Sequence, residues 1–269
     1  MNIKTPIVSV NWLKENLQDP ELIILDAVLD TPPHDLQIVG ARTFDIKNKF
    51  SDTSNPLPNT LPKPEAFAAE ARKLGINKNS KIVVYDTKGI YSSPRAWYLF
   101  KSMGHENVWV LDGGLPAWIK EDLPTEKVAA KNYSEGNFEA NFKPEMFKNK
   151  EQILENISSQ KAVVVDARSS DRFHAETEEP REGLRSGHIP GAVNLPFSKV
   201  LKEGKFLPKE ELENILPFQN QPLYFSCGSG ITACIDLIAY ELVASNAPKA
   251  IYDGSWTEWG QDHNLPIEK

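Results

Sequence analysis

The chain has 269 residues, 40% hydrophobic and 25% charged, a balance that excludes disordered, collagenous and low-complexity classes. The 30 basic and 37 acidic side chains leave a net charge of −7 with no basic block, which argues against a nucleic-acid partner; no apolar run approaches the ~18 residues of a membrane span. Met1–Pro6 lack an apolar signal core, and two cysteines, Cys227 and Cys234, can build neither a disulfide framework nor a zinc site, so the expectation is an unsecreted protein of a reducing cytoplasm, with no metal.

In chain order, the first strand-like run is Leu22–Ala27, followed by Gly40-Ala41 and a stretch rich in Pro and Ser from Ser51 to Pro64. The apolar run Lys81–Tyr85 then ends at Asp86 and precedes a helix-like segment, Arg95–Met103. Asp112-Gly113-Gly114, Trp118 and Leu123-Pro124 close this half, and a polar stretch from about Thr125 to Pro144, with little periodicity, reads as a linker. The second half repeats the first: Val163–Ala167, Gly191-Ala192, Leu223–Ser226 ending at Cys227, the helix-like Thr232–Val243, Asp253-Gly254-Ser255, Trp259 and Leu265-Pro266. Most of these pairs lie about 140 positions apart, with Asp86 opposite Cys227. The pattern predicts two related α/β units, each a mostly parallel sheet flanked by helices: residues 1–125, a linker over 126–145, and residues 146–269. Ligands of such sheets bind beyond the carboxyl ends of the strands, where Asp86 and Cys227 fall.

Cys227-Gly228-Ser229-Gly230-Ile231-Thr232 follows a buried strand and opens an apolar helix. Two glycines let the backbone turn tightly and aim several N–H groups inward, and the helix start adds partial positive charge. Such a cradle stabilises an anion, here the Cys227 thiolate, which is the nucleophilic form. Ser229 and Thr232 can donate to the sulfur or its substrate, although Thr232 can equally cap the helix. A cysteine-phosphatase reading needs a cation in the loop, and the position six residues after Cys227 is Ala233. Cys234, among Ile231, Ile235 and Ile238, reads as a small core residue.

This tandem resembles the rhodanese-type sulfurtransferases, and the loop from Cys227 to Thr232 is similar to that of the 3-mercaptopyruvate sulfurtransferase branch. Thiosulfate sulfurtransferases carry basic residues where Gly228 and Ser229 stand. The likeness extends through Leu57-Pro58, Pro94-Arg95-Ala96-Trp97, Asp166-Ala167-Arg168, Arg172-Phe173 to Glu179-Pro180-Arg181, Gly187-His188-Ile189-Pro190-Gly191-Ala192 and Asp253-Gly254-Ser255-Trp256. The resemblance implies that the Cys227 thiolate takes sulfur from 3-mercaptopyruvate, releases pyruvate, and passes the sulfur to a thiol such as thioredoxin, or to cyanide, without a resident cofactor. Cys227, Ser229 and Thr232 are then catalytic, and Gly228, Gly230 and Ile231 complete the persulfide loop. Asp86 marks the first unit as non-catalytic, a wall of a cleft between the units, so a monomer suffices. A thiosulfate sulfurtransferase and a non-enzymatic sulfur carrier are the alternatives.

A 2-oxo carboxylate bound to an acidic protein needs a local cation, best an arginine fork. By resemblance Arg172 and Arg181 bind the substrate, while Arg168 reads as a structural ion pair and Arg185 as surface. His188 reads as part of a turn, His263 as solvent-facing, and Trp256 and Trp259 as packing between the units. Family members carry a first-unit histidine in a relay to the loop serine. The matching segment here is Gln37-Ile38-Val39-Gly40, with His34 and Asp35 nearby, and a bound water or the substrate thiolate is expected to replace the relay.

Overall fold

The computed structural model describes residues 5–29, 35–217, 220–243 and 246–269; the first four residues and His34 lie outside them. The chain forms two compact units. The first comprises Met1–Thr53, Leu61–Lys143 and Glu203–Phe206, and the second Ser54–Thr60, Pro144–Lys202 and Leu207–Lys269. Each takes one short segment from the other half of the sequence.

In the first unit the elements are β1 (Ile7–Val8), α1 (Val10–Asn16), β2 (Leu22–Val28), β3 (Leu36–Ile38), β4 (Arg42–Asp45), α2 (Pro64–Lys73), β5 (Lys81–Tyr85), α3 (Ser93–Ser102), β6 (Val108–Leu111), α4 (Gly114–Lys120) and β7 (Thr125–Lys127). After them come β8 (Phe147–Lys148), α5 (Lys150–Ser159), β9 (Val163–Asp166), α6 (Ser170–Phe173), β10 (Val193–Asn194), β11 (Leu201–Lys202), β12 (Lys205–Phe206), α7 (Lys209–Ile215), β13 (Leu223–Ser226), α8 (Ala233–Leu242), β14 (Lys249–Tyr252) and α9 (Ser255–Gln261). The five-stranded sheets run β1-β6-β5-β2-β4 and β10-β9-β13-β14-β8, parallel throughout, and are the same topology read from opposite edges. Central β5 and β13 end at Asp86 and Cys227. Helices on both faces explain why Ile82, Val83, Val84 and Tyr85 are all buried, a continuous apolar run where a one-sided sheet would alternate.

Each unit owns its core. In the first, Trp118 packs with Leu13, Val83, Tyr85 and Leu111. In the second, Trp256 and Trp259 pack with Ile153, Val164, Tyr252 and Leu265. Both tryptophans are fully buried inside that core, which corrects the expectation that they pack between units: their indole N–H groups are satisfied locally, by the carbonyls of Arg185 (3.0 Å) and Pro266 (2.8 Å). The expected linker over 126–145 is corrected: residues 126–143 belong to the first unit and run along it, and the second unit resumes at Pro144. β7 pairs antiparallel with β3, the Phe138 N–H donates to the Ile76 carbonyl, and the Phe138 ring is buried. Among the described residues no helix is long and apolar enough to cross a membrane.

Candidate active site

Cys227 stands one residue past β13, 1% exposed, at the head of the loop into α8. Its two glycines serve different ends. Gly230 has φ +77°, which a side chain would strain. Gly228 lies in ordinary backbone space, but a Cβ there would sit 3.4 Å from Arg172 Nη2 and 3.7 Å from Arg181 Nη1. Both guanidinium groups therefore lie close over the Gly228 position.

The start of α9 fixes the loop's peptide planes. Trp256 N–H donates to the Cys227 carbonyl (2.9 Å), and both the N–H (3.0 Å) and the hydroxyl (2.6 Å) of Thr257 donate to the Gly228 carbonyl. Ser255, a non-glycine held at φ +50°, donates its hydroxyl to the Tyr252 carbonyl (2.9 Å) and accepts from the Cys227 N–H (3.3 Å). With the carbonyls of Cys227 and Gly228 tied to α9, the N–H groups of the same two peptides, those of Gly228 and Ser229, point away from α9.

The four arginines separate by partner. Arg168 is fully buried, forks onto Asp166 (Nη2–Oδ2 2.7 Å), reaches Glu179 (2.8 Å) and lies 4.2 Å over the Trp256 ring, the structural ion pair expected of it. Arg172 bonds the same Glu179 (Nη2–Oε2 2.6 Å), whose side chain is 2% exposed, so a buried carboxylate offsets its charge. Among the described residues Arg181 bonds only hydroxyls: Nη1 donates to Thr257 Oγ1 (3.1 Å) and Nη2 to Ser229 Oγ (3.4 Å). Its charge is oriented without being neutralised. Arg185 corrects the surface expectation, since it donates to the carbonyls of Trp259, Gly260, Asp262 and Leu265 and clamps the carboxyl-terminal segment. His188 is buried, stacked on Phe173 and bonded to the Phe173 carbonyl, a structural place; His263 is exposed.

Ser229, 8% exposed, is reached by Asn59, whose Nδ2 donates to Ser229 Oγ at 3.1 Å. Asn59 belongs to the short segment Ser54–Thr60 of the second unit and adopts φ +60°, a left-handed conformation that asparagine tolerates better than most residues. Gln37, by contrast, is buried in the first unit against the Ala41 carbonyl and Glu126. Glu126 also accepts from Lys131, Gln37 and the Gly40 N–H, which bring its pKa down to about 2. Besides Arg181, the side chain that reaches the loop serine is Asn59 and not Gln37; sequence reasoning missed it, and its only signal was the Pro- and Ser-rich stretch around Leu57-Pro58. Thr232 occupies the cap position of α8, but its side chain makes no capping bond. Ile231 and Cys234 are buried, and Cys234 Sγ faces the Gly230 carbonyl at 3.5 Å. Beneath the loop, Asp236 on α8 is fully buried, with neither carboxylate oxygen bonded. Burial first, then the nearby Cys227 and Asp166, raise its pKa well above the usual carboxylate value. No group of three or more metal-ligating side chains occurs among the described residues.

A thiol at a strand end, heading a glycine-containing loop that two arginines approach, defines a candidate covalent group-transfer site. The Rhodanese-like domain family matches residues 9–121 and again 149–262, and the chain belongs to that family. It is 39% identical to a 3-mercaptopyruvate sulfurtransferase of Escherichia coli K12 over 98% of each chain, and 37% identical to a thiosulfate sulfurtransferase of Gallus gallus over 94% of this chain and 92% of the other. A crystal structure of a 3-mercaptopyruvate sulfotransferase from Escherichia coli superposes with a TM-score of 0.83 at 37% identity, covering 94% of this chain and 99% of that one.

Proposed function

We propose that the protein is a 3-mercaptopyruvate sulfurtransferase acting through a Cys227 persulfide. The observation that carries the reading is the approach of the Arg172 and Arg181 guanidinium groups to Gly228, next to Cys227, in a loop that holds no cation of its own. A 2-oxo carboxylate offers its carboxylate and carbonyl oxygens to Arg181 and Arg172, which sets its sulfur over Cys227. The thiolate forms the S–S bond as the carbon–sulfur bond breaks. The electron pair leaves with carbon, which takes the substrate's thiol proton and departs as pyruvate. Loop N–H groups hold the anionic persulfide. An acceptor thiolate, such as that of reduced thioredoxin, or cyanide then attacks the outer sulfur and restores the Cys227 thiolate. No resident cofactor enters either half-reaction, and a cytoplasmic monomer with no membrane or nucleic-acid partner suits this chemistry.

Steady-state kinetics with 3-mercaptopyruvate and thiosulfate test the donor. The expected kcat/KM favours 3-mercaptopyruvate by at least about 10-fold, because thiosulfate lacks the carbonyl–carboxylate pair that both arginines read. The reverse ranking makes the protein a thiosulfate sulfurtransferase. Intact-protein mass spectrometry should show one added sulfur after donor treatment, removed by a thiol. Cys227→Ser should abolish loading and lower kcat by about 10⁴-fold or more. Loading without release would instead mark a sulfur carrier.

A further inference from the structure

Arg181 lies in an irregular stretch between α6 and β10, and the residue is exposed, so its sequence neighbours do not dictate where the guanidinium points. We propose that Thr257 is a positioning residue that orients Arg181 over the Cys227 loop while leaving its charge intact; this deepens, and rests on, the sulfurtransferase reading of the site.

The hydrogen-bond polarity argues for it. Thr257 has a single hydroxyl proton, and the 2.6 Å contact with the Gly228 carbonyl takes it, because a carbonyl can only accept. The remaining lone pairs of Oγ1 face Arg181 Nη1 at 3.1 Å, while Nη2 reaches Ser229 Oγ at 3.4 Å. Two hydroxyls thus span the guanidinium fork, one on the loop and one bonded to it. Thr257 is 6% exposed and is the third residue of α9, beside the loop, so its own position is set by packing. A carboxylate at this place would orient Arg181 as well but cancel its charge, as Glu179 does for Arg172. The repeat supplies an internal contrast. Leu115 N–H donates to the Asp86 carbonyl (3.0 Å) as Trp256 N–H does to that of Cys227, so the next residues correspond. In the first unit that residue is Pro116, which has neither hydroxyl nor N–H to give.

The test is a double-mutant cycle on the whole chain. Thr257→Val keeps shape and the backbone N–H but removes the hydroxyl; it should raise KM for 3-mercaptopyruvate about 10-fold with kcat within about 3-fold, and Thr257→Ser should restore KM to within about 3-fold. In an Arg181→Met background the valine should add less than about 2-fold, since the residue acts through Arg181. A donor-independent reading is the rate of Cys227 alkylation by anionic iodoacetate relative to neutral iodoacetamide, measured on the Cys227 peptide. Thr257→Val should lower that ratio by about 3-fold or more, and Thr257→Ser should not. Equal losses with and without Arg181, or an unchanged ratio in the valine variant, would overturn the proposal. If the wild-type chain ignores 3-mercaptopyruvate, the function falls while the alkylation ratio still decides the role of Thr257.

Discussion

The loop after β5 and the loop after β13 align residue for residue, Asp86 to Ser93 against Cys227 to Cys234, and they solve one electrostatic problem with different anions. In the first unit the anion is built in. Asp86 Oδ2 accepts from the N–H groups of Tyr91 (2.8 Å), Ser92 (3.1 Å) and Ser93 (3.0 Å) and from the Ser93 hydroxyl (2.7 Å), and Oδ1 accepts from the Lys88 N–H (2.9 Å). A carboxylate places its oxygen one bond beyond Cγ, as a persulfide places its outer sulfur one bond beyond Sγ. The Asp86 loop therefore displays, permanently filled, the kind of cradle that the Cys227 loop is proposed to fill in turnover. Gly114 at φ +51° and Ser255 at φ +50° hold the same strained place behind the two loops, and only Ser255 adds a hydroxyl, which receives the Cys227 N–H. The lesson is that one loop frame serves two ends: the first unit fills it with a carboxylate that five donors hold, and the second puts a thiol there with two arginines close to the loop.

The largest expected effect separates cradle from clamp. Arg181→Met should lower kcat/KM for 3-mercaptopyruvate by about 10²-fold or more, because an oriented, unneutralised cation is lost, with little change in thermal stability for an exposed residue. Arg172→Ala should cost less, since Glu179 keeps Arg168 as a partner and Arg172 brings little net charge. If Arg172→Ala proves the more damaging, charge offset by Glu179 is the wrong way to rank the two. The next effect falls on stability. Asp86→Asn removes the charge that five donors were arranged around, and should destabilise the protein by about 3 kcal/mol in urea unfolding. A neutral outcome would mean that the first cradle binds geometry rather than charge.

How far this contrast could be read beforehand depended on range in sequence. The repeat, the strands Lys81–Tyr85 and Leu223–Ser226, and the pairing of Asp86 with Cys227 are local patterns of apolar runs and turns, and the structure places them as read. Side-chain partnerships across long loops were not legible. Nothing local to Arg185 says that it will clamp four carbonyls of the carboxyl-terminal segment, and nothing local to Asn59 says that it will meet Ser229 from so far up the chain. Nothing local to Thr257 says that its hydroxyl will bond a carbonyl of another loop.

The smallest effect concerns the carboxyls beside each cradle. Asp26 and Asp166 hold matching places on β2 and β9, but Arg168 forks onto Asp166 whereas the residue two past Asp26 is Val28. Asp26 is 2% exposed, and burial, then the negative charge of Asp86, raise its pKa to about 7, against a partly offsetting hydrogen bond from Tyr85. A carboxyl with a raised folded-state pKa binds more protons folded than unfolded between about pH 4 and pH 7. Its contribution to stability therefore falls as pH rises through that window and levels off above it. Asp26→Asn keeps the shape of the neutral acid and removes the titration. The variant should match wild type near pH 4 and exceed it by on the order of 2 kcal/mol at pH 8, read by urea unfolding at both values. Adding Asp86→Asn should shrink the pH dependence of the Asp26 effect, because the neighbouring charge is one of its causes. A gap between Asp26→Asn and wild type that widens toward acid would reverse the sign and imply an unseen cation serving Asp26 as Arg168 serves Asp166.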